Sequence, residues 1–180
     1  MKESLKNSQI VKKGDYDYFV HPITDGIPFV DPELLDEVIS AIIKMGNMNC
    51  EKIVAAEAMA IPLSAVLSIR IKRPFVVIRK RKYGLPGEVS VEAITGYSNA
   101  HLFVNGVYEG DKVLIVDDVL STGGTLKAII TALRIIGVEI VDTIIVFNKL
   151  RNKGELEKEL GVKIKTLLDV EIVNGEVIVR

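Results

Sequence analysis

Short apolar runs alternate with amphipathic helical patterns along the chain. Four runs rich in valine and isoleucine are bounded by turn residues and have the length of buried strands: residues 53–58, 74–80, 112–119 and 143–149. Strands that are apolar throughout, and that alternate with helices, are typical of a parallel sheet covered on both faces. The pattern therefore predicts an α/β fold with a mostly parallel sheet flanked by helices.

The helical patterns carry recognisable ends. Asp31 can cap a helix whose first residue is Pro32, and Gly46 stands where that helix would stop. The other helices are predicted to begin near residues 61–62, to span 124–137 and to occupy 151–161.

The two ends of the chain differ from its middle. Both carry strand-like residues broken by turn dipeptides, and Asn174-Gly175 between apolar runs is a strong hairpin signal. We therefore expect one domain, residues 1–180, with a core over approximately 32–162. The terminal segments, approximately 10–31 plus 163–180, are expected to form a small hood beside the main sheet.

Composition narrows the class of protein. Lys and Arg number 23 and Asp and Glu 24, a net charge of −1 that argues against non-specific binding of nucleic acid. No apolar run approaches the roughly 18 residues that cross a bilayer, and no secretory signal is visible. A single cysteine, Cys50, excludes an internal disulfide and a cysteine-based zinc cluster. We expect a cytoplasmic protein that binds neither nucleic acid nor membranes.

The stretch VLIVDDVLSTGGTLKAII, residues 113–130, carries the candidate chemistry. An apolar strand ends in Asp117 and Asp118, and a polar, glycine-rich segment then leads into a helix: Ser121, Thr122, Gly123, Gly124 and Thr125. The glycines let backbone N–H groups point inward, and the helix amino terminus favours an anion, so a phosphate fits there. Carboxylates beside a phosphate repel a bare anion, which points to a phosphorylated sugar whose hydroxyls they can hold. A capped helix would explain a lone DD or TGG, but the whole string favours a site.

The string VLIVDDVLSTGGT resembles the phosphoribosyl pyrophosphate (PRPP) signature of type I phosphoribosyltransferases. The resemblance implies the type I phosphoribosyltransferase fold, with a hood formed by the terminal segments. It also implies that Asp117 and Asp118 hold the ribose 2′- and 3′-hydroxyls, while residues 121–125 cradle the 5-phosphate. A few members of this fold only sense their ligand, so a non-catalytic PRPP- or purine-sensing regulator stays open.

Two further stretches extend the resemblance. FVHPITDGIPFVDPELL is similar to an adenine-type pattern of the hood, which implies that Phe29 stacks on the purine; a core position for Phe29 is equally compatible. A short pyrophosphate loop is implied at Ala56, Glu57, Ala58, Met59 and Ala60. Adenine enzymes carry arginine where this chain has Met59, so backbone N–H groups would make the pyrophosphate contact here.

The segment 76–89 resembles the adenine-type stretch that opens a mobile loop over the active site. Four consecutive cations at this strand end, residues 79–82, suit a pyrophosphate leaving group, although a solvated basic edge is the alternative. The resemblance assigns Arg79 and Lys82 to catalysis.

The choice of base depends on two positions. IVFNK is similar to a xanthine-type strand end, which implies that Lys149 hydrogen-bonds a purine 6-oxo group, a surface lysine being the alternative. Ile94 stands where adenine enzymes place a glutamate. Together these departures resemble the archaeal type of hypoxanthine/guanine phosphoribosyltransferase. That resemblance implies purine salvage from PRPP to IMP and GMP, Mg²⁺ held mainly by PRPP with no dedicated protein ligand, and a homodimer. Adenine or xanthine as the base stays open.

Overall fold

A six-stranded sheet forms the centre of the fold. The computed structural model describes residues 1–14, 16–94 and 99–180. The helices and strands follow in the order α1 (Lys2–Lys6), β1 (Gln9–Lys13), β2 (Tyr16–Val20), α2 (Pro22–Asp25), α3 (Pro32–Met45), β3 (Lys52–Ala56), α4 (Ala60–Ile71), β4 (Phe75–Ile78), β5 (Val89–Ile94), β6 (Asn99–Val104), β7 (Lys112–Leu120), α5 (Gly124–Ile136), β8 (Glu139–Asn148), α6 (Lys153–Leu160), β9 (Lys165–Val173) and β10 (Glu176–Val179).

The central sheet has the strand order β10-β9-β8-β7-β3-β4. Every neighbouring pair is parallel except β9 and β10, which form an antiparallel hairpin. The mostly parallel sheet predicted from the apolar runs is therefore confirmed. Strands β5 and β6 form a separate antiparallel pair, as do β1 and β2.

Strand β7 shows how the sheet is covered on both faces. Val113 and Ile115 belong to the core on the face that carries α5 and α6. Leu114 and Val116 belong to the core on the other face, with α3 and α4. All four side chains are fully buried, because successive residues of a strand point to opposite faces.

The predicted helices form where their end signals stand. The Asp31 carboxylate accepts hydrogen bonds from the N–H groups of Glu33 and Leu34, at 2.8 and 3.2 Å, so α3 begins as expected. Helix α5 ends at Gly137, which adopts the left-handed conformation with φ +87°. Among the described residues, no helix combines the length and the hydropathy that crossing a membrane would require.

The two terminal segments differ in how they pair: β1 and β2 pair with each other, whereas the carboxyl-terminal strands join the central sheet. The hairpin predicted at Asn174-Gly175 is present, with φ +51° and +78°, but β9 pairs with β8 and so extends the central sheet. The carboxyl-terminal segment therefore extends the central sheet. It does share a core with the amino-terminal segment, because Leu168 and Val170 are buried in the same cluster as Phe19. Division of the chain into hood and core remains a prediction.

Candidate active site

Most of the predicted site residues lie at the carboxyl ends of β3, β7 and β8, which are neighbours in the sheet. Arg79 and Lys82 follow β4, and Phe29 precedes α3. In open α/β sheets, ligands bind in the crevice beyond this edge. The sheet thus brings the carboxylate pair, the glycine-rich segment, the implied pyrophosphate loop and Lys149 to one edge.

The glycine-rich segment forms a cradle. A cavity of about 130 Å³ is lined by Asp117 together with residues 119–126 and Ile145. Gly123 adopts φ +82°, and α5 begins at the next residue, so the first N–H groups of the helix face this space. The Thr122 hydroxyl lies 3.4 Å from the N–H of Gly124. Backbone donors and hydroxyls at the start of a helix can bind a phosphate.

Packing explains why glycine stands at position 123. A Cβ atom there would lie 2.7 Å from Cδ2 of Leu156, a buried residue of α6. The positive φ also disfavours any residue with a side chain. Helix α6 therefore packs directly against the cradle at Gly123.

The two carboxylates at the end of β7 lie in surroundings that disfavour their charged forms. Asp117 is buried and accepts a hydrogen bond from the N–H of Asp118 at 3.0 Å. Burial raises the pKa of Asp117, while hydrogen bonds from Asp118 and the charge of Lys80 oppose that rise. Burial, followed by the negative charge of Asp117, holds the pKa of Asp118 well above its ordinary value. Hydroxyl donors from a ligand would satisfy this pair.

The implied pyrophosphate loop lies between β3 and α4. Ala56 is buried at the end of β3 and Ala60 at the start of α4, whereas Ala58 is exposed and Met59 is half-buried. The Glu57–Ala58 peptide bond is cis. Glu57 points its carboxylate at the neighbouring cationic segment.

Arg79 and Lys80 contact Glu57 directly. Arg79 Nε lies 3.0 Å from Glu57 Oε2, and the N–H of Lys80 donates to Glu57 Oε1 at 2.6 Å. The backbone of Arg79 also exchanges hydrogen bonds with Phe103 at 3.1 and 2.7 Å, which ties β6 to the end of β4. Lys82 is exposed, and its charge contributes to lowering the pKa of Glu88, after a hydrogen bond from Asn105.

Lys149 follows β8 directly. Its backbone N–H donates to the carbonyl of Leu120 at 2.8 Å, so it stands beside the end of β7. Its Nζ lies 5.0 Å from the ring centroid of Phe19 and 5.3 Å from that of Tyr18. Both separations are within the range of cation–π contacts.

Phe29 does not lie in the hydrophobic core. Its side chain is 66% exposed, which makes the core alternative wrong. It lines a different cavity from the cradle, together with residues of α1 and α3 that include Ser4 and Leu34. Ile94, the other position used to choose the base, ends β5 and borders residues 95–98, which lie outside the described part of the chain.

Two residues that sequence analysis did not single out lie near this edge: Tyr18 and Asp25. The Tyr18 hydroxyl donates to Asp25 Oδ1 at 2.6 Å. Burial, then this hydrogen bond, raises the pKa of Tyr18, and the charge of Asp118 adds to the rise. A tyrosine before the FVHP stretch was visible in the sequence, but nothing local connected it to β7.

The described residues bring few possible metal ligands together in one place. Within them, no group of three or more His, Cys, Asp or Glu side chains is arranged to hold a metal ion. Asp117 and Asp118 are two oxygen-bearing groups at the edge where the ligand site is expected.

Comparison with known proteins defines the class that this fold and site represent. Residues 32–176 match the phosphoribosyl transferase domain. The chain belongs to the phosphoribosyltransferase family, so the family predicted from the signature is confirmed, and the protein is a transferase.

Individual relatives match the whole chain. The hypoxanthine/guanine phosphoribosyltransferase of Methanobacterium paludis is 51% identical over 180 residues, which cover 100% of this chain and 95% of that protein. The protein of the same description from Methanocaldococcus infernus is 52% identical over 181 aligned positions, covering 100% and 99%.

Solved structures confirm the fold. The adenine phosphoribosyltransferase of Thermoanaerobacter pseudethanolicus has a TM-score of 0.74 at 23% identity, covering 94% of this chain and 99% of that one. The enzyme of Giardia lamblia in complex with 9-deazaadenine has a TM-score of 0.75 at 19% identity, covering 92% and 94%. At such low identity these structures support the type I phosphoribosyltransferase fold and not the choice of base.

Proposed function

We propose that the protein is a purine salvage enzyme that transfers the phosphoribosyl group of PRPP to hypoxanthine and guanine. The products are IMP and GMP, and pyrophosphate is released. The observation that carries this proposal is the identity of about half of all residues, over the full chain, with archaeal hypoxanthine/guanine phosphoribosyltransferases.

The end of β7 supports the sugar part of the proposal. Asp117 and Asp118 would accept hydrogen bonds from the ribose 2′- and 3′-hydroxyls, and these donors would stabilise the charges that the surroundings disfavour. The adjoining cradle at residues 121–125 would hold the 5-phosphate. Together these contacts would fix the position of C1 relative to the base and the leaving group.

The leaving group would lie over the loop at residues 56–60. C1 becomes cationic as pyrophosphate departs, so the enzyme must stabilise a developing polyanion beside an oxocarbenium-like centre. Arg79 and Lys82 would close over the pyrophosphate and exclude water, which otherwise hydrolyses PRPP. The position of Arg79 beside Glu57 supports this assignment for the arginine.

Mg²⁺ fits the proposed chemistry as a substrate-held ion. Two carboxylates without a third acidic or histidine partner, among the described residues, do not make a complete protein site. Mg²⁺ retains water and is commonly held by one or two carboxylates and substrate phosphates. Asp117 and Asp118 could reach such an ion, which when bound would neutralise charge on the leaving pyrophosphate.

Lys149 would select the base. An ammonium group donates hydrogen bonds and accepts none, so it pairs with the 6-oxo group of hypoxanthine or guanine and not with the 6-amino group of adenine. Its position beside the end of β7 supports this role. The exposed ring of Phe29 would stack on the purine.

We also propose that the protein acts as a cytoplasmic homodimer and binds neither nucleic acid nor membranes. Membership of the family supports the dimer, and the net charge of −1 supports the absence of a nucleic-acid partner. Light scattering coupled to size exclusion should give twice the mass of one chain.

Product analysis tests the choice of base. PRPP and Mg²⁺ are supplied with hypoxanthine, guanine, xanthine or adenine separately, and IMP and GMP are expected to dominate. AMP alone would contradict the proposed specificity. PRPP binding without product from any base would contradict catalysis and favour a sensing role.

Replacing Lys149 by methionine tests the proposed base contact. Loss of a charged hydrogen bond should lower kcat/KM for hypoxanthine by roughly 10- to 100-fold. The KM for PRPP should stay unchanged, because the sugar contacts lie on β7. If the substitution weakened the binding of PRPP as much as that of hypoxanthine, the result would argue against a role for Lys149 at the base.

A further inference from the structure

Two consecutive residues of β2 place their rings beside the ammonium group of Lys149. The centroid of Phe19 lies 5.0 Å from Lys149 Nζ, and that of Tyr18 lies 5.3 Å away. Phe19 is fully enclosed, with its ring edge-on to Phe147 at 6.0 Å. Tyr18 is only half-buried, so its ring forms the part of this pair that a ligand can approach.

The hydroxyl end of Tyr18 is also fixed. It donates to Asp25 Oδ1 at 2.6 Å. The other oxygen of Asp25 accepts from the backbone N–H of His21 at 3.0 Å and from the Thr24 hydroxyl at 2.6 Å. Since two other donors at the short helix α2 hold Asp25, its carboxylate anchors the Tyr18 ring in one orientation.

Tyr18 interacts with the charge of Asp118 as well as with Lys149. The charge of Asp118 reaches its hydroxyl and adds to the rise in its pKa, behind burial and the interactions with Asp25. The hydroxyl therefore remains protonated, and remains a donor, throughout the neutral range.

We propose that Tyr18 is a positioning residue for Lys149: its ring, anchored by Asp25, holds the lysine ammonium at the point where a purine 6-oxo group is recognised. A lysine side chain has four flexible carbons, and an aromatic face restricts where its charge rests. The inference rests on the proposed function, because it concerns the base contact of that reaction. It assigns base discrimination to β2 as well as to the residue that follows β8.

Two substitutions at Tyr18 separate the ring from the hydroxyl. Tyr18→Leu removes the ring and should raise the KM for hypoxanthine roughly 3- to 10-fold, with kcat and the KM for PRPP unchanged. Tyr18→Phe keeps the ring and should restore most of the wild-type KM. Tyr108→Leu is the matched control, since Tyr108 also lies over a lysine, with Lys52 Nζ 4.8 Å from its centroid, but at the opposite edge of the sheet. That variant should behave as wild type.

A double-substitution cycle tests whether Tyr18 acts through Lys149. In a Lys149→Met background, Tyr18→Leu should have no further effect on the KM for hypoxanthine. A rise of the same size in both backgrounds would overturn the inference, as would an unchanged KM in Tyr18→Leu. If Tyr18→Leu does not fold, Tyr18→Met, which also removes the ring, serves instead, and an unchanged KM there overturns the inference.

The same assays distinguish this inference from the proposed function. If the wild type forms IMP and the KM for hypoxanthine is unaffected by Tyr18→Leu, only the role of Tyr18 fails. Binding of IMP is measured by calorimetry in parallel, and Tyr18→Leu should weaken it by a similar factor. A wild type that neither forms nor binds IMP overturns both.

Discussion

Gly123 occupies a backbone conformation and a space that suit no other residue. Gly123→Ala should lower the free energy of unfolding by roughly 1–2 kcal/mol, because φ is +82° and the added Cβ meets Leu156. The KM for PRPP should rise several-fold, since the cradle must shift. Denaturant unfolding and initial rates measure the two effects. Gly154→Ala is the control: no atom lies within 4 Å of its Cβ position, so stability should be unchanged or slightly higher.

His21 makes the stability of the protein depend on pH. Its Nδ1 accepts from the N–H of Ile23 at 3.1 Å, and its Nε2 lies 2.9 Å from the Ser4 hydroxyl. Burial, followed by the nearby amino-terminal charge, lowers its pKa from 6.5 to about 4. Between these values the unfolded chain binds more protons, so the contribution of His21 to stability is complete above pH 6.5 and is lost as the pH falls towards 4.

The size of this effect can be isolated with one variant. His21→Asn keeps an acceptor for the N–H of Ile23 but cannot titrate. The wild type should lose roughly 3 kcal/mol more than the variant between pH 7 and pH 4. Urea unfolding at several pH values gives the difference, which removes the contributions of other groups. Parallel curves for the two proteins would show that His21 does not titrate in this window.

At the scale of the elements, Glu57 connects the end of β3 to the cations after β4. It holds Arg79 and the backbone of Lys80, the groups that the proposed pyrophosphate would need. Glu57→Gln should therefore lower the inhibition constant of pyrophosphate, measured against PRPP, by up to roughly 5-fold, because a partly exposed ion pair contributes no more than about 1 kcal/mol.

The control for this variant lies at the other end of the sheet. Glu139→Gln removes an exposed ion pair with Lys112 and should leave pyrophosphate inhibition unchanged. Weaker inhibition in Glu57→Gln would mean that the carboxylate holds the loop in its binding shape and does not compete with the ligand.

Helix and strand boundaries could be predicted where the signal is local. Asp31, Pro32 and Gly46 bound α3 through contacts within a few residues, and the predicted helix matches the observed one. The order of strands could not be predicted, because an apolar run shows that a strand is buried but not which strand lies beside it. The pairing of β9 with β8 is therefore a finding of the structure.

The same distinction applies to the candidate site. Residues 117–125 are contiguous, so their chemistry was visible in the sequence, and the structure brings Asp117 and the cradle together around one cavity. Tyr18 reaches this edge only through folding and no local pattern marks it, whereas Lys80 belongs to the run of cations at residues 79–82 that the sequence shows. Whether Phe29 contacts a base stays a prediction, because a single aromatic residue fits several surroundings.

For the whole molecule, we expect the carboxylate pair to lower the free energy of unfolding while it supports the reaction. The pKa of Asp118 is raised, so its ionisation favours the unfolded chain: its contribution to stability is complete below its ordinary pKa and is lost as the pH rises through the raised pKa. Asp118→Asn should be more stable than the wild type at pH 7.5 by roughly 1–3 kcal/mol, with the gap closing towards pH 4. Nucleotide formation should fall by about 100-fold or more.

A second buried carboxylate provides the contrast. Asp142 accepts from Lys165 at 2.7 Å and from the N–H of Asn47 at 2.8 Å, so its charge is compensated. Asp142→Asn should destabilise the protein by roughly 1–3 kcal/mol without affecting turnover. Thermal and urea unfolding of both variants, beside their initial rates, measure the comparison. Destabilisation by Asp118→Asn at pH 7.5 would contradict it.

The hydrogen bond between the Lys149 N–H and the Leu120 carbonyl has a consequence for the size of the ligand. It joins the ends of two adjacent strands, and adjacent strands lie about 4.8 Å apart because backbone geometry requires it. In the proposed reaction one strand end holds the sugar and the other meets the far side of the base. The sheet would then fix the distance between the sugar contact and the base contact, and a single-ring base would meet Lys149 poorly because its oxo group lies closer to C1 than the 6-oxo group of a purine does.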